Sequence, residues 1–230
     1  MKLSIKKDSG FIEFYSSSKT LLEALDDIKT TKDNSLCYSS GCRSGVCGSC
    51  AVRVNGVEVL ACSYELKDGD VVEPLKNTQT IRDLVVVAPL EFNAKAKAYL
   101  CEKEQKPIIT KEQTLINELQ SECILCASCF SICPVYELNP NFLGPFALTR
   151  VWRYVSDVRE DEAKSKIDLI QQDGIWDCTL CNACTTVCPQ GISSKADIEK
   201  LRAKSAMFGY SDPSFSSFGF GSSFDGSPVF

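Results

Sequence analysis

Histidine is absent from the sequence, and this absence excludes several classes of function. A Rieske centre and a histidine-ligated haem need imidazole ligands. A Ser-His-Asp triad needs its histidine base, and a histidine proton relay cannot operate. The sequence also lacks a nucleotide-binding glycine loop and a nucleophile paired with a base. We therefore predict that this chain performs no substrate chemistry of its own.

Long apolar segments are missing as well. The longest apolar run, Leu84–Leu90, is far shorter than the roughly 20 residues that a membrane-spanning helix needs. The first residues, Met1–Lys7, are followed by no apolar stretch, so no signal peptide is expected. These features predict no direct membrane span, and any membrane association is expected to come through a partner.

The sequence has no excess of positive charge. It carries 25 Lys and Arg against 30 Asp and Glu, for a net charge of −5. Because the basic residues are scattered, no nucleic-acid partner is expected. A length of 230 residues suggests two domains, and a hydrophobic share of 44% suffices for packed cores.

Cysteine is abundant, with 14 residues, and eight of them form two matching loops. Each loop follows C-x2-C-x2-C-x3-C-P, the spacing of two-cluster ferredoxins. Every iron of a cubane cluster needs one soft thiolate, and three cysteines at three-residue steps can reach three corners of one cube. The loops comprise Cys123, Cys126, Cys129 and Cys133, then Cys178, Cys181, Cys184 and Cys188.

The fourth cysteine of each loop is predicted to bind the cluster of the other loop. Proline disfavours helix at the residue before it, so Cys133 and Cys188 should be extended and turn away from their own loop. One cubane is then held by Cys123, Cys126, Cys129 and Cys188. The other is held by Cys133, Cys178, Cys181 and Cys184.

Two other uses of these cysteines fit the pattern less well. Zinc would need four cysteines per site but has no use for crossed Cys-Pro pairs. A disulfide framework is a poor fit to a chain of this length without a secretory segment. Iron–sulfur clusters account for more of the pattern.

A third group of cysteines has a different spacing. Cys42, Cys47 and Cys50, followed by the later Cys62, match the plant-type [2Fe–2S] pattern. Glycines at 41, 45 and 48 would let backbone N–H groups approach the sulfurs. Cys37 cannot start the motif, because Gly45 would then take the third position. Cys37 and Cys101 are interpreted as thiols that bind no metal.

Local patterns predict an α+β protein made of an N-terminal β-grasp [2Fe–2S] ferredoxin domain and a C-terminal all-α two-cluster ferredoxin-like domain. Thr20 and Glu23 form a capping box before a helix at 21–31, and Asn55-Gly56 indicates a type I′ hairpin. Strands are predicted at 2–7, 11–17 and 70–75, and further helices at 112–122, 144–158, 162–172 and 195–206.

The predicted domain limits follow the changes in composition. Residues 1–88 form the [2Fe–2S] domain, 89–110 a linker and 111–205 the helical domain. Residues 206–230 form a Gly/Ser/Phe-rich tail, low in complexity. Its Phe215, Phe218, Phe220 and Phe224 could contact a partner.

Taken together, these motifs resemble the iron–sulfur subunit of succinate dehydrogenase and fumarate reductase, over about residues 1–205. The family's [2Fe–2S] ligands fall on the four cysteines that the spacing indicates. The resemblance implies a flavoprotein partner with FAD and the dicarboxylate site, and a membrane-anchor or peripheral subunit linked to quinone. It is carried by the cysteine loops and by Cys42–Cys50, Glu73–Leu75, Ile81–Val86 and Asn139–Pro145.

The chain departs from most of the family at three positions. Cys181 stands where most members carry an aliphatic residue, and their third cluster is [3Fe–4S]. Glu137 and Leu138 replace a tryptophan pair, and Thr179 replaces a histidine often found in quinone-reducing members. These changes suggest a different electron acceptor or anchor, and they predict one [2Fe–2S] and two [4Fe–4S] clusters, with [3Fe–4S] as the alternative for the last.

The expected function is electron transfer between a flavoprotein succinate–fumarate site and a quinone-linked subunit, on the inner face of the cell membrane. One alternative is an iron–sulfur subunit of a heterodisulfide- or hydroxyacid-oxidising complex. Another is a free ferredoxin-like carrier. The flavoprotein that copurifies with the chain would distinguish among them.

Overall fold

The computed structural model of the protein describes residues 1–216. The predicted tail at 206–230 lies largely beyond them, and Phe218, Phe220 and Phe224 fall outside the described residues.

The N-terminal part is built on a five-stranded mixed sheet with the order β2-β1-β5-β3-β4. Strand β1 pairs antiparallel with β2 and parallel with the central strand β5, which is the predicted β-grasp arrangement. A separate two-stranded sheet follows it. The strands are β1 (Lys2–Lys7), β2 (Gly10–Tyr15), β3 (Ala51–Val54), β4 (Val57–Leu60), β5 (Asp70–Glu73), β6 (Thr80–Arg82) and β7 (Val85–Val86).

Helix α1 (Leu21–Thr31) begins where the sequence predicts. The Thr20 side chain accepts from the backbone N–H of Glu23, whose carboxylate accepts from the N–H of Thr20 in return. The helix adds its apolar residues to the core that contains Leu3 and Ile5 of β1. The Asn55-Gly56 hairpin is also confirmed, since both residues have positive φ.

The C-terminal part consists of helices whose apolar faces pack together. The two longest, α6 and α9, pack against each other and bury Leu148, Val151, Ile198 and Leu201. The helices are α2 (Glu91–Lys95), α3 (Lys111–Leu115), α4 (Glu118–Ser121), α5 (Ser128–Ser131), α6 (Pro145–Val155), α7 (Ala163–Leu169), α8 (Ala183–Thr186), α9 (Ser194–Met207) and α10 (Pro213–Ser216).

The prediction of one continuous helix at 112–122 is wrong. The segment forms α3 and α4 with a break at Asn117, whose φ is −132°. There the Asn117 amide donates to the carbonyl of Arg153 at 3.0 Å. This tertiary bond to α6 compensates for the interrupted helix.

A hydrogen-bonded junction joins the two parts. The backbone N–H of Lys76 donates to Ser131 Oγ at 2.8 Å, and that hydroxyl donates to the buried Glu58 carboxylate at 2.7 Å. The Asn77 amide donates to the carbonyls of Phe130, Ser131 and Cys133 at 3.1–3.3 Å. The junction therefore ends on the first cubane-type loop.

Candidate iron–sulfur centres

The plant-type cysteines lie on a loop whose backbone N–H groups point at sulfur. Cys42 Sγ accepts from the N–H groups of Ser44, Val46 and Cys47 at 3.2–3.4 Å. The N–H of Gly45 donates to Cys62 Sγ at 3.3 Å. Such bonds stabilise thiolate sulfur and are one of the factors that set the potential of a cluster.

Glycine is required at two points in this loop. A Cβ at Gly41 would lie 2.9 Å from Cys47 Sγ, a distance too short for a side chain at this position. Gly48 has φ +72°, and a Cβ there would lie 2.8 Å from Cys126 Cβ in the first cubane-type loop. The [2Fe–2S]-type loop therefore touches that loop at Gly48.

Burial and hydrogen bonding shift the pKa of these thiols in opposite directions. The backbone N–H of Ser44 and its neighbours lower the pKa of Cys42 to about 6. Burial raises the pKa of Cys50 to about 11. A bound metal ion reverses the second effect, because a coordinating thiol loses its proton. Iron binding at such thiols is accordingly coupled to proton release.

The two cubane-type loops have the same backbone conformation. Leu125 and Leu180 both have positive φ, at 54° and 55°. Ala127 and Asn182 also do, and each precedes a one-turn helix, α5 or α8. Cys133 is extended with ψ 118°, as the following proline predicts. The repeated sequence pattern thus corresponds to a repeated structure.

In the first group, the fourth cysteine comes from the second loop. Burial raises the pKa of Cys123, Cys126 and Cys129, and the charge of Cys188 raises each one further. All four cysteines line one cavity, together with Phe146, Thr149 and Ser194. The structure therefore brings together the four cysteines predicted for the first cubane.

The second group shows the reciprocal arrangement. Burial raises the pKa of Cys133 to about 12, and the charges of Cys178, Cys184 and Cys181 add to it. Cys181 also raises the pKa of both Cys178 and Cys184, after the larger effect of burial. Cys181 is the exposed member of the group, whereas Cys133 and Cys184 are buried.

These donors fit clusters better than a single ion. A zinc site needs four donors converging on one metal. Within residues 1–216, no group of three or more His, Cys, Asp or Glu side chains is arranged to hold one metal ion. In a cubane cluster each thiolate binds a different iron, and in a [2Fe–2S] cluster each of the two irons takes two thiolates, so four sulfurs surround the cluster without converging on one metal.

The three groups follow one another through the molecule. Residues 47–49 and 125–127 line a shared cleft between the [2Fe–2S]-type loop and the first cubane-type loop. Cys184 of the second group lies close enough to raise the pKa of Cys129 in the first, after the larger effect of burial. The first cubane group therefore lies between the other two.

Several side chains that support the loops belong to no sequence motif. The Arg202 guanidinium donates to the carbonyls of Ile175 and Cys178 at 2.7 Å and so fixes the start of the second loop. Arg43 pairs with Asp26 at 2.5 Å. Partners 17 to 27 residues apart in the chain cannot be identified from motif spacing.

The two remaining cysteines have other contacts. Cys37 Sγ donates to the carbonyl of Ser35 at 3.5 Å. Cys101 Sγ lies 3.2 Å from Lys166 Nζ, which is fully buried and pairs with Glu160 at 2.8 Å. Their interpretation as thiols that bind no metal stays a prediction.

Comparison with known proteins agrees with this layout. A family model described as a 2Fe-2S iron-sulfur cluster binding domain matches residues 8–93. A model described as a 4Fe-4S dicluster domain matches residues 119–192. The fold and its cysteine groups thus define an iron–sulfur protein that combines a ferredoxin domain with a dicluster domain.

Whole-chain relatives specify the family. The fumarate reductase iron-sulfur subunit of Mycobacterium tuberculosis is 38% identical over 200 residues, covering 81% of each chain. The 8-methylmenaquinol:fumarate reductase iron-sulfur subunit of Wolinella succinogenes is 35% identical over 211 residues, which cover 80% of this chain and 63% of that one. The chain belongs to the family of iron–sulfur subunits of succinate dehydrogenase and fumarate reductase, and its role is electron transfer.

A solved structure supports the fold. A chain of the Mycobacterium smegmatis Sdh1 complex in the apo form matches with a TM-score of 0.80 and 22% identity. The match covers 91% of this chain and 97% of that one. The predicted α+β fold, a [2Fe–2S] ferredoxin domain followed by a dicluster domain, is confirmed.

Proposed function

We propose that the chain carries electrons between a flavoprotein, which holds FAD and the succinate–fumarate site, and a subunit linked to quinone. The observation that carries this proposal is the succession of three cysteine groups, with the first cubane group between the other two. When bound, the clusters supply one-electron redox steps. The protein spaces them, buries several of their cysteine ligands and donates hydrogen bonds to their sulfurs.

The proposed ligands follow the groups of thiols. The [2Fe–2S] cluster is held by Cys42, Cys47, Cys50 and Cys62. One [4Fe–4S] cluster is held by Cys123, Cys126, Cys129 and Cys188. A second is held by Cys133, Cys178, Cys181 and Cys184.

Cys181 decides the type of the last cluster. A [3Fe–4S] cluster lacks one corner iron and persists where the protein offers three thiolates. The influence of Cys181 on the pKa of three group members supports a fourth thiolate there. An added iron changes the cluster charge, which is one determinant of potential. We infer a lower potential at this end, suited to a low-potential quinol or thiol partner.

Attachment to the membrane is proposed to be indirect. Across residues 1–216, no helix combines the length and apolar character that crossing a bilayer requires. The resemblance to the family supports a peripheral position on the inner face of the cell membrane, through a membrane-anchor or peripheral quinone-linked subunit.

Reoxidation by fumarate tests the proposal. The complex purified with its flavoprotein would be reduced with dithionite under anaerobic conditions, and fumarate would then be added. We expect the paramagnetic signals of the reduced clusters to disappear. Clusters that stay reduced with fumarate, but are oxidised by a heterodisulfide, would overturn the proposal in favour of the thiol-linked alternative.

A pair of variants tests the order of the groups. Cys42→Ala removes a proposed [2Fe–2S] ligand and should slow fumarate-driven oxidation of the cubane clusters at least tenfold. Cys37→Ala, in the same segment, is the matched control and should leave the rate unchanged. Equal rates in both variants would contradict a path through the [2Fe–2S] group.

A further inference from the structure

A buried carboxyl group lies next to the first cubane group. Asp197 on α9 is 1% exposed, and its Oδ1 accepts from the Gln120 amide at 2.8 Å. Asp197 Oδ2 and the hydroxyl of Thr149 are both buried, and neither has a hydrogen-bond partner with good geometry among residues 1–216. The Thr149 hydroxyl, which can donate, and Asp197 Oδ2, which can accept, are therefore both available for a hydrogen bond.

The position of Asp197 relates it to the cluster cavity. Thr149 and Ser194 line that cavity together with the four cysteines of the first group. Ser194 precedes Asp197 by one turn of α9, and Thr149 is close enough to lower the pKa of the Asp197 carboxyl. The carboxyl therefore lies one side-chain layer behind the cavity wall.

The neighbouring groups compensate only part of the negative charge of this carboxyl. Lys200, on the same helix, lies 3.5 Å from Oδ1 but is half-exposed. The groups that face the carboxyl from α4 and α6 are the uncharged Gln120 and Thr149. The charge of Arg150, also on α6, lowers the pKa of Cys123. Burial raises the pKa of Asp197 to about 6, and Lys200, Gln120 and Thr149 limit the rise.

Both protonation states can be hydrogen-bonded. As a carboxylate, Asp197 can accept from the Thr149 hydroxyl; as an acid, it can donate to the same oxygen. A negative charge added nearby favours the acid form. The Thr149 hydroxyl thus offers a hydrogen-bond partner to Oδ2 of Asp197 in either protonation state.

We propose that Asp197 takes up a proton when the first cubane group takes up an electron. The electron comes from the flavoprotein partner, and the proton comes from water and forms an O–H bond on Asp197. No other bond is formed or broken, and the net charge of the cluster and carboxyl together is unchanged. The inference rests on the ligand set proposed above.

The pH dependence of the midpoint potential of this cluster tests the proposal, measured on the whole complex by paramagnetic resonance. Because the reduced state binds the proton more tightly, the potential should fall as pH rises above about 6 and level off below it. In Asp197→Asn the potential should be independent of pH and, at pH 8, higher than in the parent. A parent potential that is flat from pH 5 to 9, or an unchanged slope in Asp197→Asn, would overturn the proposal.

Two further variants separate this role from a structural one. Glu199→Gln changes a neighbouring acidic residue on α9 whose charge raises the pKa of Cys178, in the second group. The pH dependence of the potential of the first cluster should therefore persist in this variant. Thr149→Val removes a group that lowers the pKa of Asp197 and should shift the sloping region to higher pH. A slope lost in Glu199→Gln, or an unmoved region in Thr149→Val, would count against Asp197 as the proton acceptor.

Infrared difference spectra report directly whether the carboxyl group carries a proton. Reduction at pH 7 should produce a carboxylic acid C=O band that Asp197→Asn lacks. An intact cluster signal without that band would overturn this inference alone. Absence of any [4Fe–4S] signal from the parent chain would overturn the proposed ligand set instead.

Discussion

Gly48 shows how a single residue allows two cluster-binding loops to touch. Its φ is +72°, and the position of a Cβ lies 2.8 Å from Cys126 Cβ and 3.0 Å from Cys126 Cα. A side chain here would have to push the loops apart. Because the distance between redox groups governs electron transfer between them, the missing side chain has both a packing and a functional consequence.

Gly48→Ala should therefore destabilise the protein through backbone strain and steric overlap. Strain at positive φ costs roughly 1–2 kcal/mol, and overpacking adds about 1–3 kcal/mol. Gly69→Ala is the matched control, because Gly69 also has positive φ but open space around it. Thermal unfolding of the holoprotein should give a larger loss for Gly48→Ala, and equal losses would contradict the close approach.

At the level of single residues, the sequence is most informative about the cysteines. The two cubane-type loops and the [2Fe–2S] spacing are set by cluster chemistry, so they can be read directly from the chain. The side chains that hold the loops are different. Asn77, Arg202 and Asp197 act through tertiary contacts, and no local pattern marks them.

Among the structural elements, the turn after β5 connects the sheet to the cubane-type loops. Asn77 has φ +58°, and its amide donates to three carbonyls between Phe130 and Cys133. One of these belongs to a proposed ligand of the last cluster. The turn therefore serves as a clamp on the first loop.

Asn77→Gly keeps the positive φ available but removes the amide. We expect a loss of about 1–3 kcal/mol in the free energy of unfolding, since carbonyls at the junction lose their donor. Iron should be lost from the last cluster before the first, because Cys133 belongs to the last. Asn77→Ala adds backbone strain and should be less stable again. Parent-like stability in Asn77→Gly would refute the clamp.

A buried ion pair joins α7 to the segment that precedes this helix. Lys166 and Glu160 are at most 1% exposed in their side chains and lie 2.8 Å apart. Glu160 also accepts from the backbone N–H of Cys101 at 3.2 Å. A sequence pattern predicts a helix here, but it does not predict that a lysine of that helix is buried.

Lys166→Met should leave the Glu160 charge buried without its partner, at a cost of about 3–5 kcal/mol. Adding Glu160→Gln should restore part of the loss, because no unpaired charge then remains buried and the single amide oxygen can still accept one of the two backbone hydrogen bonds. Lys164→Met, on the same helix, breaks an exposed pair with Asp168 and should cost under about 1 kcal/mol. Similar losses for Lys164→Met and Lys166→Met, measured by chemical unfolding, would contradict this account.

For the whole molecule, the sequence was sufficient to predict the two-part α+β architecture. Alternation, capping and hairpin signals are local, so the sheet strands and α1 could be anticipated. The break at Asn117 could not, because it depends on a hydrogen bond to α6. Nor could the contact between the two parts at Gly48, which requires both loops to be folded.

Paramagnetic resonance of the oxidised, anaerobically prepared protein tests the central claim most directly. If Cys181 is the fourth ligand, the last cluster is an intact [4Fe–4S]2+ and gives no signal, and Cys181→Val should create the sharp signal of [3Fe–4S]1+. Cys37→Val is the matched control and should stay silent. A stoichiometric [3Fe–4S]1+ signal in the parent chain would contradict the account.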